Sequence, residues 1–266
     1  MSVATFHAVQ DQGRRDYQED NWAALPPRGD DDGLLLLVCD GMGGHRGGRL
    51  ASETVCNSFA ASFEAGTDLD IQSRFRRALD AAHEALAAAA GDDPLLSDLG
   101  TTLAAVFIIG DDLHWISVGD SPCYRVRRTT LERINADHSM APVLDELVAS
   151  GEMSAAEAAS DPRRNALRSA VGTDDLSLID HGSTSGALHP GDVLILASDG
   201  VDTLSPKTIR NIARKTYRKG PAIVADALLA GVLGCDKPHQ DNVTIVVYIH
   251  DQAALSQQGL LARLLG

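Results

Sequence analysis

Positive charge is scarce in this chain. Its 266 residues carry 23 Lys and Arg against 37 Asp and Glu, a formal net charge of −14. A nucleic-acid surface is excluded on that balance, because phosphate backbones require clustered cations. The one basic run, Arg125 to Arg128, falls in a strand pattern and reads as a solvated face. Aromatic residues make up only 4% of the chain, so Leu, Val, Ile and Ala must fill the core. The four cysteines, at positions 39, 56, 123 and 235, lack CxxC or Cys/His metal spacing. They read as reduced, buried small side chains. No apolar stretch approaches the roughly 18 residues that span a bilayer. Met1 to His7 lacks the basic-then-apolar layout of a secretion signal. The expectation is a cytoplasmic protein with neither a membrane nor a nucleic-acid partner.

What the chain does have is acid at particular places. Five short motifs run from end to end: Arg15-Asp-Tyr-Gln-Glu19-Asp20, Asp40-Gly41-Met42-Gly43-Gly44-His45, Gly119-Asp120-Ser121, Ser198-Asp199-Gly200 and Asp241-Asn242. Three of them follow apolar, strand-like runs, namely Leu34 to Cys39, Leu113 to Val118 and Val193 to Ala197. Carboxylates at the ends of buried strands cannot all stay ionised near one another without cations. That pattern asks for a hard metal.

Strand patterns are expected at Thr5–Val9, Leu34–Cys39, Thr101–Ile109, Leu113–Val118, Tyr124–Arg128, around Leu167, and at Leu176–Asp180, Val193–Ala197 and Val243–Ile249. Helical spacing starts at Gly48 (Leu50, Val55, Phe59, Phe63) and covers Asp70–Ala90, Pro206–Tyr217, Pro221–Leu233 and Ala253–Leu265. The Ala/Glu-rich stretch Ala141–Ala159, broken at Gly151, interrupts the strands and reads as an insertion. Strand runs with paired helices grouped between them predict an α+β fold, a β-sandwich covered by helices. Regular strand–helix alternation, the mark of a doubly wound sheet, is absent.

Taken alone, each motif has a plain reading. Asp40-Gly41 suits a Gly-rich turn with Asp as a helix N-cap, and it is no dinucleotide fingerprint, because Arg46 stands where the third glycine belongs. Arg15 suits a surface arginine paired with Asp16. Yet an antiparallel sheet sets one strand's end beside its neighbour's start. Asp199, ending a strand, and Asp241, starting one, can therefore face the same cavity as Asp40. Together with Glu19, Asp20 and Asp120 they shift the balance to metal.

In order and wording these motifs resemble the bacterial branch of the metal-dependent serine/threonine protein phosphatases of the PPM (type 2C) family. The likeness runs over roughly residues 5 to 250 and includes Gly100-Thr101-Thr102, Asp137-His138-Ser139 and the stretch Leu147 through Gly172. The resemblance implies an antiparallel β-sandwich flanked by helix pairs, a helical flap at about 141–170 that influences substrate choice, and a phosphatase domain over 1–252 with a helical tail, 253–266. It implies two divalent cations, Mn²⁺ or Mg²⁺. Asp40 would bridge them, with Asp199 and Asp241 completing one site, Glu19 and the Gly41 carbonyl the other, and Asp20 orienting ligands. Asp120 with Asp199 would hold a third, weaker ion. Arg15 would grip phosphoryl oxygens with its guanidinium fork. A metal-activated hydroxide would attack phosphorus in line, without a covalent intermediate. Met42 stands where eukaryotic members place a histidine, and His45 is the nearby alternative as proton donor. The expected partner is a phosphorylated protein, the target of a serine/threonine kinase, met by a monomer. The rival readings are a catalytically weak regulatory module of the same shape and a phosphatase of small phosphoesters.

Other phosphatase chemistries fail on spacing. There is no C-x5-R loop, and Asp68-Leu-Asp70-Ile-Gln lacks the preceding strand and following Thr or Val of an aspartyl-phosphate enzyme. G-x-S-x-G and P-loop motifs are absent too.

Overall fold

The run Leu34-Leu-Leu-Leu-Val-Cys39 is too apolar for a strand with one wet face, and its surroundings explain why. A computed structural model describes residues 6–27, 33–43, 46–66, 70–91, 93, 96, 99–172, 176 and 178–251. In it the run opens β3 (Leu34–Met42) and is buried on both sides. Leu34, Leu36 and Val38 point into a core between two sheets, while Leu35, Leu37 and Cys39 point into a second core under two helices. Alternate side chains of a strand face opposite ways, so a strand in an inner layer reads as continuously apolar.

Sheet one is ordered β1 (Phe6–Asp11), β11 (Val243–Ile249), β10 (Val193–Ala197), β7 (Cys123–Arg127) and β8 (Thr130–Arg133). Sheet two is ordered β2 (Asp20–Leu25), β3, β5 (Leu103–Ile109), β6 (Asp112–Val118) and β9 (Asp180–Thr184), with the short β4 (Gly100–Thr101) paired to β3. Every pairing is antiparallel. Helices α1 (Arg46–Ala65) and α2 (Ile71–Ala90) cover sheet two, and α5 (Pro206–Thr216) and α6 (Pro221–Leu233) cover sheet one. The expected α+β sandwich flanked by helix pairs is what forms.

Four of the five phenylalanines gather in one place. Phe59, Phe63, Phe75 and Phe107 form a ring cluster with centroids 5.1–6.3 Å apart where α1 and α2 meet sheet two. The Arg74 guanidinium lies 4.1 Å over the Phe63 ring and also donates to the Phe63 carbonyl.

Four expectations need correction, one of them the burial of Cys235, which is exposed while Cys39, Cys56 and Cys123 are buried. The strand expected at Leu176–Asp180 lies at Asp180–Thr184 instead, while Leu176 and Ile179 pack against the helical core. β9 is a polar edge strand pinned by Trp115, whose Nε1 donates to Asp180 Oδ2 at 3.0 Å. Around Leu167 there is only a single bridge, to Ser139. β8 carries no apolar alternation and was not expected. The insertion does break where Gly151 stands, at φ +78, between α3 (Ala141–Ala149) and α4 (Ala155–Ser160). Thr5 and the C-terminal tail from 253 lie outside the described residues.

Removing the Phe63 ring takes out the centre of that aromatic cluster. Phe63→Ala is expected to cost about 3–5 kcal/mol of unfolding free energy. Chemical denaturation would check it, and a loss below about 1 kcal/mol would contradict it.

Candidate active site

The strand directions put all five motifs at one end of the sandwich. Asp20 begins β2 and pairs in register with Asp40, near the end of β3. Asp120 follows β6, Asp199 follows β10, and Asp241 precedes β11. Because neighbouring strands are antiparallel, ends and starts alternate at the same edge.

Each acid is held by its own local device. The Asp40 backbone N–H donates to Thr102 Oγ1 at 3.0 Å, and its carbonyl accepts from Thr102 N at 2.9 Å and Thr101 Oγ1 at 2.8 Å. Asp20 is 7% exposed, and its Oδ2 accepts from Ser198 Oγ at 2.7 Å and Thr244 Oγ1 at 2.8 Å. Its Oδ1 is buried and takes no conventional hydrogen bond among the described residues. Asn242 stitches the first motif to β11. Its Oδ1 accepts from Glu19 N at 2.8 Å, and its Nδ2 donates to the carbonyls of Gln12 and Tyr17.

Two glycines are required by close approach. A Cβ on Gly41 would sit 2.1 Å from the Gly48 carbonyl oxygen in the first turn of α1. A Cβ on Gly200 would sit 2.0 Å from the Asn242 carbonyl oxygen. Glu19 reaches that same first turn, where its Oε1 lies against Gly48.

Burial first, and neighbouring acids second, raise the pKa of four of these carboxylates. Asp40 is driven well above the ordinary carboxylate range by burial, then by Asp20, Asp199, Asp120 and Asp241. Burial, with Asp120, Asp241 and Asp20 nearby, pushes Asp199 up to about 7. Asp120, buried and facing Asp137, reaches about 6. Asp20 also reaches about 6, burial outweighing the Ser198 and Thr244 hydrogen bonds that pull it down. Arg15 supplies the compensating cation: its Nη2 meets Asp241 Oδ2 at 2.6 Å. It is paired there and not with its neighbour Asp16.

A cleft of about 330 Å³ opens over this edge, lined by Asp120, Asp199 and Asp241 among others. The sequence reading gave the lining residue Asp137 a place in a motif but no role, and passed over Asp202, Lys237 and His239. Asp202 lies three residues beyond Asp199 in the same 3₁₀ turn, Asp199–Thr203, a spacing that was available as a signal. Asp137 is paired with Arg133 at 2.8 Å, and Asp202 accepts from the Tyr124 hydroxyl at 3.1 Å. Lys237 and His239 belong to the exposed loop before Asp241, where no pattern marks them. His45 lies outside the described residues.

Could these residues hold divalent cations? Among the described residues, no three acidic, histidine or cysteine side chains close into a ready-made ligand set. Arg15 holds one of the Asp241 oxygens that such a set would use. The donor chemistry fits nevertheless. The convergent groups are hard carboxylate oxygens, no thiolate lines the cleft, and Asp20 Oδ1 is buried without a donor.

The family model for protein phosphatase 2C matches residues 7–225. The serine/threonine phosphatase Stp of Listeria monocytogenes is 28% identical over 258 residues, covering 94% of this chain and 96% of that one. The crystal structure of the Mycobacterium tuberculosis serine/threonine phosphatase PstP/Ppp is similar at a TM-score of 0.76 and 30% identity, over 93% of this chain and 98% of that one. A catalytic domain of serine/threonine protein phosphatase PstP in complex with two manganese ions is similar at a TM-score of 0.72 and 29% identity, over 92% and 96%. The chain belongs to the protein phosphatase 2C family, in its bacterial branch.

The raised pKa values have a consequence for the cation-free protein. Asp199 and its neighbours bind protons more tightly folded than unfolded, so their stabilisation is complete below about pH 4 and is lost as pH rises through about 7. Thermal unfolding in EDTA is expected to move downward from about pH 5 to about pH 7.5, with Mn²⁺ restoring more at the higher pH. A midpoint that rises over this range, or ignores Mn²⁺, would contradict the electrostatic reading.

Proposed function

We propose that the carboxylate cleft is the catalytic centre of a metal-dependent serine/threonine phosphoprotein phosphatase. Membership of the family makes the chain a protein-serine/threonine phosphatase. The observation that carries the assignment of the site is the convergence on one edge of five acids from separate motifs: Asp20, Asp199, Asp120 and Asp241 all raise the pKa of buried Asp40, and Asp120, Asp241 and Asp20 raise that of Asp199.

In this reading Asp40 would serve both of two cations, with Asp199 and Asp241 holding one, Glu19 and the Gly41 carbonyl the other, and Asp120 with Asp199 a third, weaker one. A bound pair of Mn²⁺ or Mg²⁺ ions supplies an acidified water and neutralises phosphoryl charge. The remaining work falls to the chain. Ser198 and Thr244 hold Asp20 in place beside Asp40. Arg15, once Asp241 is engaged elsewhere, is free to turn its fork to the phosphoryl oxygens. Thr101 and Thr102 fix the Asp40 backbone, so its carboxylate is aimed before substrate arrives. The reaction is in-line hydrolysis without a covalent enzyme intermediate.

Ala141, the first residue of α3, and Asn165, beyond α4, line the cleft. This supports a flap at 141–170 that meets the protein part of the substrate. Substrates are phosphoproteins made by a serine/threonine kinase, and the setting is cytoplasmic signalling by a monomer. Among the described residues no helix is long and apolar enough to cross a membrane. The domain is read as 1–252 with a separate tail.

Hydrolysis of p-nitrophenyl phosphate and of a phosphothreonine peptide is expected with Mn²⁺ and not with EDTA, and Asp40→Asn should abolish it. Arg15→Ala should lower kcat/KM by about 10²–10³, the scale for losing one preorganised charge-stabilising donor. Full turnover in EDTA or in Asp40→Asn would overturn the reading. A kcat/KM higher on the small ester than on the peptide would favour a small-phosphoester enzyme.

A further inference from the structure

A second cleft, of about 620 Å³, lies at the opposite end of the β10 sheet from the carboxylates. β10 fixes the separation. Asp192 and Val193 line this cleft where the strand begins, and Asp199 follows where it ends. Six residues of strand at about 3.3 Å each place the two clefts roughly 20 Å apart.

Its walls are basic, in a protein of net charge −14. Arg127 and Arg128 come from the β7–β8 hairpin, Arg214 from the last turn of α5, and His189 from the loop before β10. Asp192 is the single carboxylate among the lining residues, and it is already engaged. It is buried, meets Arg127 through Nε–Oδ1 at 2.9 Å and Nη2–Oδ2 at 2.5 Å, and accepts from His189 N at 2.9 Å. Arg127 is thereby neutralised. Arg128 and Arg214 have no ion pair or side-chain hydrogen bond among the described residues.

Arg128 is also in an unusual conformation. Pairing of Arg127 with Thr130 leaves a two-residue turn, Arg128-Thr129, and Arg128 adopts φ +52. Such turns favour Gly, Asn or Asp at a left-handed position. An arginine kept there against local preference is the kind of departure that marks a functional position. The favourable placing of Arg214 at a helix C-terminus accounts for that residue alone and leaves Arg128 unexplained.

We propose that this cleft binds a phosphoryl group carried on a peptide segment, at a site distinct from the carboxylate cleft. Two unpaired guanidinium groups match phosphoryl oxygens in geometry and charge. The Thr129 hydroxyl and the Tyr217 ring share the lining, and the space exceeds what a lone anion fills. Free phosphate offers the same chemistry without the peptide.

Amide NMR of the magnesium-loaded protein separates the cases. It would be titrated with inorganic phosphate and, separately, with a non-hydrolysable phosphonate analogue of a phosphothreonine peptide. Saturable shifts at Thr129, Gly191 and Tyr217 are expected, tighter for the peptide than for phosphate. They should weaken by roughly tenfold or more in R128N/R214Q. Asn suits the left-handed position, so this variant should fold, and unfolding temperatures would verify it. Equal affinity for phosphate and peptide would overturn the peptide assignment. No shift at these residues from either probe, or unchanged shifts in R128N/R214Q, would overturn the site. Turnover of p-nitrophenyl phosphate by the same samples should be unchanged by R128N/R214Q. Its absence in the wild type would count against the catalytic reading, not this one.

Discussion

Repulsion among buried carboxylates is the constraint on which everything else here turns. Asp40 and Asp20 are register partners on adjacent strands, and Asp199, Asp120 and Asp241 bear on the same edge. Left uncompensated, that arrangement is a standing cost to the folded state. The chain offsets part of it with Arg15 on Asp241 and with two hydroxyls on Asp20. The rest is left for hard cations, which makes the site weak as a piece of scaffold and suitable as a place to neutralise phosphoryl charge.

What keeps the acids together is apolar. β3 is buried on both faces, between the inter-sheet core and the aromatic cluster beneath α1 and α2, so its end cannot drift. Thr101 and Thr102 then clasp the Asp40 backbone, and Asn242 clasps the loop that carries Arg15 and Glu19. The glycines at 41 and 200 let main chains approach where any side chain would collide. Stability is concentrated in the layers, and chemistry sits at their rim.

Much of this was legible in the residues. Val193–Ala197, Pro221–Leu233 and Val243–Ile249 are strongly patterned, and the structure has those spans as read. The sandwich edge was legible because four of the five motifs abut an apolar run. Polar edge strands were not: β8 and β9 are specified by cross-strand partners such as Trp115 on Asp180, which no local period reveals. The roles of Ser198, Thr244 and Asn242 as clasps also escaped, since each depends on a contact across more than forty residues of sequence. The run Arg125 to Arg128 is a mixed case. Arg125 pairs with Glu132 as a solvated face would, whereas Arg127 and Arg128 turn into a cleft that only the fold assembles.

The most direct test is a crystal soaked in manganese and measured by anomalous scattering. Two strong peaks are expected on either side of the Asp40 carboxylate, one touching Asp199 and Asp241 and the other Glu19, with the Arg15–Asp241 contact opened. Peaks elsewhere, or an Asp40 carboxylate that touches no metal at full soak, would contradict the central claim.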